Sequence, residues 1–140
     1  MKYMKVYTAG LKEKNSINHN IKKVLASKSD VLFAYIHGSF LKGDFRDIDV
    51  AVYLKNKKRP IKYEMELESE LEKKLRYPVD VRVLNVSPLS FRFKAIKNGE
   101  LIFCRDECTR VNFETATFVL YHDFSFYRKM YMREALNLEV

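Results

Sequence analysis

Two aspartates one residue apart, set where a glycine-bearing turn runs into an apolar strand, restrict what this chain can fold into more than any other feature. The stretch Gly38-Ser-Phe-Leu-Lys-Gly-Asp-Phe-Arg-Asp-Ile-Asp49 lies between two short apolar runs, Val31–Ile36 and Val50–Leu54. Both runs are rich in β-branched and aromatic residues, and their length suits buried strands. Side chains alternate along a strand, so Asp47 and Asp49 point to one face, with Cα atoms about 7 Å apart, while Ile48, Val50 and Val52 point to the other.

Folding alone does not reward this arrangement. Two carboxylates about 6 Å apart repel by about 3 kcal/mol at an effective dielectric near 20. A divalent cation does reward it, because Mg²⁺ takes one or two carboxylates together with substrate phosphate oxygens. The Gly38-Ser39 turn adds the elements of a phosphate site: glycine lets the backbone approach a ligand, and the Ser hydroxyl and backbone N–H groups can bind phosphate oxygens.

Gly-Ser followed by Asp-x-Asp at the start of a strand resembles the DNA polymerase β-type nucleotidyltransferases. The form Gly38-Ser39-Phe-Leu-Lys-Gly43…Asp47-Ile-Asp49-Val-Ala-Val is similar to the small MNT-type, or minimal, nucleotidyltransferases, and the flanking elements extend the resemblance over residues 15 to 135. Two departures touch the phosphate contacts more than the metal site. Only seven residues separate Ser39 from Asp47, with Arg46 where the family commonly has Ser, and Lys42 stands where the family commonly has Arg.

The resemblance implies an α/β (α+β) nucleotidyltransferase fold: a short mixed β-sheet, helices mainly on one face, carboxylates on the open face, and a long C-terminal helix. It implies a third metal carboxylate on the strand beside Asp-x-Asp. In Val79-Asp-Val-Arg-Val-Leu84 the valines share one face, which leaves Asp80 and Arg82 on the other. Asp80 is therefore the candidate third ligand, and the alternative is an Asp paired with Arg82 or a nearby Lys. The resemblance further implies that Asp47, Asp49 and Asp80 hold one or two Mg²⁺ ions. Gly38, Ser39, Lys42 and Gly43 then contact the nucleotide, and AMP passes from ATP to a tyrosine hydroxyl of a partner HEPN toxin.

Helical spacing of Ile17, Ile21, Val24 and Leu25 predicts a helix over 15–29, with Asn15 or Ser16 as its N-cap. Pro60 opens a second helix, whose buried face is expected to carry Ile61, Met65, Leu71 and Leu75, with Glu and Lys opposite. Ser87-Pro88 opens a short helix closed by Asn98-Gly99, and Leu101–Cys104 reads as a last strand. Residues 106–138 contain no Pro or Gly and carry an aromatic stripe, Phe113, Thr117, Leu120, Phe124, Tyr127 and Tyr131, at near-heptad spacing. Either the stripe packs on the domain's own sheet, or its far half, 121–138, docks a partner protein or a second copy.

Composition sets bounds rather than a function. The 140 residues suit one domain, 1–140. No apolar stretch spans a bilayer and no signal-peptide pattern opens the chain, so a cytoplasmic protein is expected. The formal charge of +8 admits polyanionic partners, but its one dense run, Lys55-Asn-Lys-Lys-Arg59, reads first as a solvated loop after a strand and second as a basic rim that attracts phosphates. Cys104 and Cys108 lack the partners of a zinc site, His37 reads as a nucleotide neighbour or a strand-end hydrogen-bonder, and His122-Asp123 reads as structural. Two other functions stand beside the enzyme of a toxin: a binding module that neutralises its partner by contact alone, and a nucleotidyltransferase acting on RNA or a small molecule.

Overall fold

The structure, a computed structural model, describes residues 5–56 and 58–135. Residues 1–4 of the N-terminal arm, position 57 of the basic run and residues 136–138 of the expected tail helix lie outside them. In chain order the elements are α1 (Leu11–Ala26), β1 (Val31–His37), a 3-10 turn (Ser39–Leu41) and β2 (Ile48–Leu54). They continue with α2 (Pro60–Leu75), β3 (Val79–Val83), a second 3-10 turn (Leu84–Val86), α3 (Leu89–Asn98), β4 (Glu100–Cys104) and α4 (Glu107–Glu134). The four strands form a mixed sheet in the order β3-β2-β1-β4, with β2 and β3 parallel and the other pairs antiparallel.

Alternation along the strands sorts the core into two layers. Ile48, Val50, Val52, Val79, Val81 and Val83 face α1 and α2, where Ile17, Ile21, Leu25, Leu67, Leu71 and Leu75 complete the larger cluster. The opposite face carries Phe33, Tyr35 and Ala51, covered by Ala95 and Phe91 of α3 and Phe113 of α4. Phe33 stacks flat on Tyr53 at 4.8 Å, and Phe113 tilts over both rings at 5.5 and 5.0 Å. Asp49 and Asp80 lie on this second face, side by side in the β2–β3 register.

Helix α1 begins earlier than its apolar spacing suggests. Its N-cap is Gly10, without a side-chain hydrogen bond, rather than Asn15 or Ser16. The first turns carry no buried residue, so periodicity has nothing to report until Ile17. In α2 the expected stripe is corrected: Leu67, Leu71 and Leu75 are buried, but Ile61 and Met65 are 71% and 65% exposed. At about 100° per residue, Met65 sits about 120° around the helix from the leucine stripe.

The space beside that stripe belongs to glutamates. Glu64, Glu68 and Glu72 accept the backbone N–H groups of Val83, Val81 and Val79 at 2.8, 2.9 and 2.9 Å. Four residues of helix rise about 6 Å and two residues of strand about 6.6 Å, so successive carboxylates meet alternate N–H groups. Strand β3 is an edge strand, and this carboxylate ladder satisfies donors that would otherwise offer themselves to another chain.

Asp106 caps α4, accepting from the Thr109 N–H at 3.1 Å and its hydroxyl at 2.9 Å. The aromatic stripe divides part-way along this helix. Phe113 and Thr117 pack on the domain, and Tyr121 stacks on Phe93 of α3 at 3.7 Å. Beyond them Phe124, Tyr127 and Tyr131 are 59%, 67% and 61% exposed. At 28 residues the helix is about 42 Å long, more than a four-stranded sheet can cover. Among the described residues, no helix is long and apolar enough to cross a membrane.

Candidate active site

The β1–β2 hairpin brings the site together. His37 at the end of β1 pairs in register with Asp49, and β3 places Asp80 directly beside Asp49. Asp47 precedes β2 by one residue. Each of the three carboxylates offers an oxygen within 4.8 Å of the other two, and all three side chains are half-buried. They are the one group of three or more acidic, His or Cys side chains among the described residues placed so.

Electrostatics follow from that crowding. Burial, then the charges of Asp47 and Asp80 and a hydrogen bond with Asp47, push the Asp49 carboxyl up to about 7. Burial pushes His37 below its ordinary value, against the pull of Asp80 and Asp47. The His37 ring meets Phe91 edge-on at 5.3 Å, and its Nε2 is buried without a hydrogen-bond partner. Arg82 Nε lies 3.4 Å from Asp80 Oδ1, so Asp80 both joins the carboxylate cluster and keeps the ion pair foreseen for it.

The Gly38–Gly43 turn stands against these carboxylates. Gly38 has φ +82°, in the left-handed region that favours glycine. A Cβ there would meet Asp49 Oδ2 at 2.1 Å, so the absence of a side chain is what lets backbone and carboxylate share the space. Ser39, Lys42 and Gly43 follow on the exposed side of the turn. Ser39 and Asp47 line a cleft of about 350 Å³ together with Arg46, Asp44 and the arm residue Val6. The arm reaches it through a bridge of paired hydrogen bonds between Tyr7 and Phe45, 2.7 and 3.0 Å, and through Thr8, which donates to Asp44 at 3.0 Å.

Sequence reading overlooked Lys14. From the first turns of α1 its ammonium donates to the carbonyls of Phe40 and Gly43 at 2.6 and 2.7 Å, holding both ends of the turn. It also lies over the Phe40 and Phe45 rings, at 5.0 and 5.6 Å from their centroids. No local pattern marks a lysine that acts across the fold. Lys14→Met is expected to cost about 1.5 kcal/mol of stability, the low end for hydrogen bonds from a charged group, because the ammonium is partly exposed. Urea denaturation reads that loss, and faster amide exchange at Leu41–Gly43 reads the loosened turn, with Lys14→Arg restoring most of both.

The raised Asp49 carboxyl gives a second expectation. Its folded value, about 7, lies above the ordinary 3.8, so the folded state holds the proton more tightly. The stabilisation is complete below the unfolded value and is lost as pH rises through 7. With chelator present, the melting temperature is expected to fall between pH 5 and 8, and Asp49→Asn to flatten that fall. A divalent cation displaces the proton, so its affinity is expected to rise about tenfold per pH unit up to 7 and then level off. Titration with Mn²⁺ by calorimetry measures it.

Comparison with known proteins decides the family. Residues 19–108, well over half of the chain, match the family described as polymerase beta, nucleotidyltransferase. The chain is a polymerase β-type nucleotidyltransferase. No curated protein matches it in sequence. Among solved structures, this nucleotidyltransferase is similar to a chain of the tri-AMPylated HEPN toxin of Shewanella oneidensis in complex with MNT antitoxin. The TM-score is 0.70 at 19% identity, covering 88% of this chain and 98% of that one. It is similar as well to a chain of the toxin–antitoxin complex MntA–HepT (TM-score 0.68, 19% identity, 87% and 98% covered). A toxin–antitoxin structure with AMP-PNP matches with TM-score 0.70 and 20% identity, over 85% and 98% of the two chains. At these identities the likeness establishes the fold, and it agrees with the mixed sheet and long C-terminal helix expected from sequence.

Proposed function

We propose that this nucleotidyltransferase is an MNT-type antitoxin that transfers AMP from ATP to a tyrosine hydroxyl of a HEPN-type toxin, in an Mg²⁺-dependent reaction. The convergence of Asp47, Asp49 and Asp80 beside the Gly38–Gly43 turn carries the reading. The relatives supply the acceptor class: one is an MNT antitoxin bound to a tri-AMPylated toxin, another a toxin–antitoxin structure with AMP-PNP.

The donor set fits the cation. Three carboxylates offer only hard oxygen ligands, as Mg²⁺ prefers, and they lie within 4.8 Å of one another with Arg82 paired to Asp80 alone. A cation held by Asp47, Asp49 and Asp80 supplies charge neutralisation at the phosphates and a lowered pKa for an attacking hydroxyl. Ser39 and Gly38 hold the β- and γ-phosphates from the turn, and Lys42 and Arg46 add positive charge at the cleft's rim. The acceptor oxygen bonds to the α-phosphorus as the bridging P–O bond breaks, pyrophosphate leaves, and the hydroxyl proton passes to solvent. Positioning is most of what such a transfer asks of a protein. The rigid β1–β2 hairpin, the Lys14 anchor and the close fit of Gly38 to Asp49 provide it. The exposed far half of α4 is the surface we assign to toxin docking.

Purified protein, α-labelled ATP and Mg²⁺ are to be added to lysate of the source organism, beside the Asp47→Asn/Asp49→Asn variant. A labelled protein band that requires the intact carboxylates is the expected result, and its mass identifies the acceptor. Label on RNA would move the reading to a nucleic-acid enzyme. No label, with Mg–ATP still raising the melting temperature, would favour an antitoxin acting by contact alone.

A further inference from the structure

A second concavity lies at the other end of the sheet. It has a volume of about 770 Å³, within the range of small-molecule sites. Tyr53 and Phe113 line it, with Asn85, Thr109 and two cations, Lys55 and Arg92; its lining includes no carboxylate. Tyr53 follows Asp49 by four residues on the same face of β2, which places the cleft about 13 Å along the strand from the carboxylates. Between them Ala51 is buried beneath α3, so the two concavities are separate.

Arg92 is the observation that needs explaining. Its side chain is half-buried, its Nε is shielded from solvent, and it makes no hydrogen bond or ion pair with any described residue. A guanidinium that gives up part of its hydration at Nε without gaining a partner is disfavoured, and shielded charges are ordinarily paired. Arg110, the other partly buried arginine of this region, also has a shielded, unpartnered Nε, but its terminal nitrogens bind Glu114 at 3.0 Å and reach Glu107 as well. Arg92 has no such acid. Its fork of donors suits the two oxygens of a phosphate or carboxylate. Lys55 adds charge, and the Tyr53 and Phe113 rings, 5.0 Å apart, supply apolar surface for a flat group.

We propose that this cleft binds a small organic anion bearing an aromatic ring, with the Arg92 guanidinium taking the anionic group and Tyr53 and Phe113 taking the ring. The site is independent of the nucleotidyl-transfer site.

Phenyl phosphate is a suitable probe because it carries both features and no nucleoside for the carboxylate site to recognise. The full chain, labelled with ¹⁵N, is titrated in the presence of chelator while backbone amides, the Asn85 side-chain amide and arginine Nε–H signals are followed. Saturable shifts clustered on Asn85, Arg92, Thr109 and Phe113 are expected, with inorganic phosphate and phenol each binding at least tenfold more weakly. Arg92→Gln is expected to weaken phenyl phosphate binding at least tenfold. Should that variant fail to fold, Arg92→Lys and Lys55→Gln decide, each with a severalfold loss expected. Shifts that never saturate, that centre on Asp47 and Asp49, or that persist unchanged in the folded variants overturn the site.

Discussion

Asp49→Asn is expected to lower nucleotidyl transfer by at least about a thousandfold, equivalent to about 4 kcal/mol of transition-state stabilisation. The amide is nearly isosteric, so it keeps the packing against Gly38 and removes only the charge. That charge is the one that burial, and then Asp47 and Asp80, disfavour, the effects that push this carboxyl up to about 7. The variant is therefore expected to melt at a higher temperature than the parent in chelator at pH 8, while Mg²⁺ no longer raises that temperature. The combination separates a metal ligand from a structural Asp, whose replacement would lower both activity and stability. Transfer within tenfold of the parent, at saturating Mg²⁺, would remove Asp49 from the metal site.

Asp47 and Asp49 were legible in sequence because what pairs them is local, whereas Asp80 joined them through the family resemblance, which implies a third carboxylate on the neighbouring strand. Alternation along two short strands puts Asp47 with Asp49 and isolates Asp80 from its flanking valines, and β2 and β3 are read from their own residues. The turn was legible for the same reason, since Gly38 and Ser39 lie beside the strand they serve. The overlooked groups all act across the fold. Lys14 reaches carbonyls 26 and 29 residues away. Glu64, Glu68 and Glu72 read as a solvated helix face until the parallel β2–β3 pairing makes β3 an edge that α2 must cover. The error at Ile61 and Met65 has the same origin: with glutamates taking the angle beside Leu67 and Leu71, the first turn of α2 presents its apolar residues to solvent. Arg92 carries no sequence signal either, because its singularity is the absence of an acid that only the packing of α3 against β2 and α4 could have supplied.

The tail helix combines both cases. Its stripe is one pattern in sequence, and the alternatives of core and docking surface divide at a point set by the sheet's width rather than by the residues. Phe113 and Thr117 lie over strands; Phe124 and Tyr127 lie beyond them. An exposed aromatic surface of this kind on a rigid helix is what a partner interface requires.

Gly38→Ala is expected to reduce transfer about a hundredfold, through geometry alone. The added methyl would stand 2.1 Å from Asp49 Oδ2 and 3.2 Å from its Cγ, and no rotation of the methyl relieves it. The carboxylate must move by about 1 Å, a displacement that costs about a hundredfold where reacting groups are held in line. The backbone at φ +82° adds about 1–2 kcal/mol of strain for a residue with a Cβ. A fall of a few degrees in melting temperature is the expected result for a chain of this length. Gly10→Ala supplies the comparison, because a Cβ there meets nothing within 4 Å and φ is −72°; its transfer rate is expected to match the parent's. Mn²⁺ titration then locates the defect. Weakened binding in Gly38→Ala places the damage at Asp49, and unchanged binding with slow transfer places it at the phosphates the turn holds. A rate equal to the parent's would show that Asp49 moves at no functional cost, and would break the link between this turn and the carboxylates on which the proposed mechanism stands.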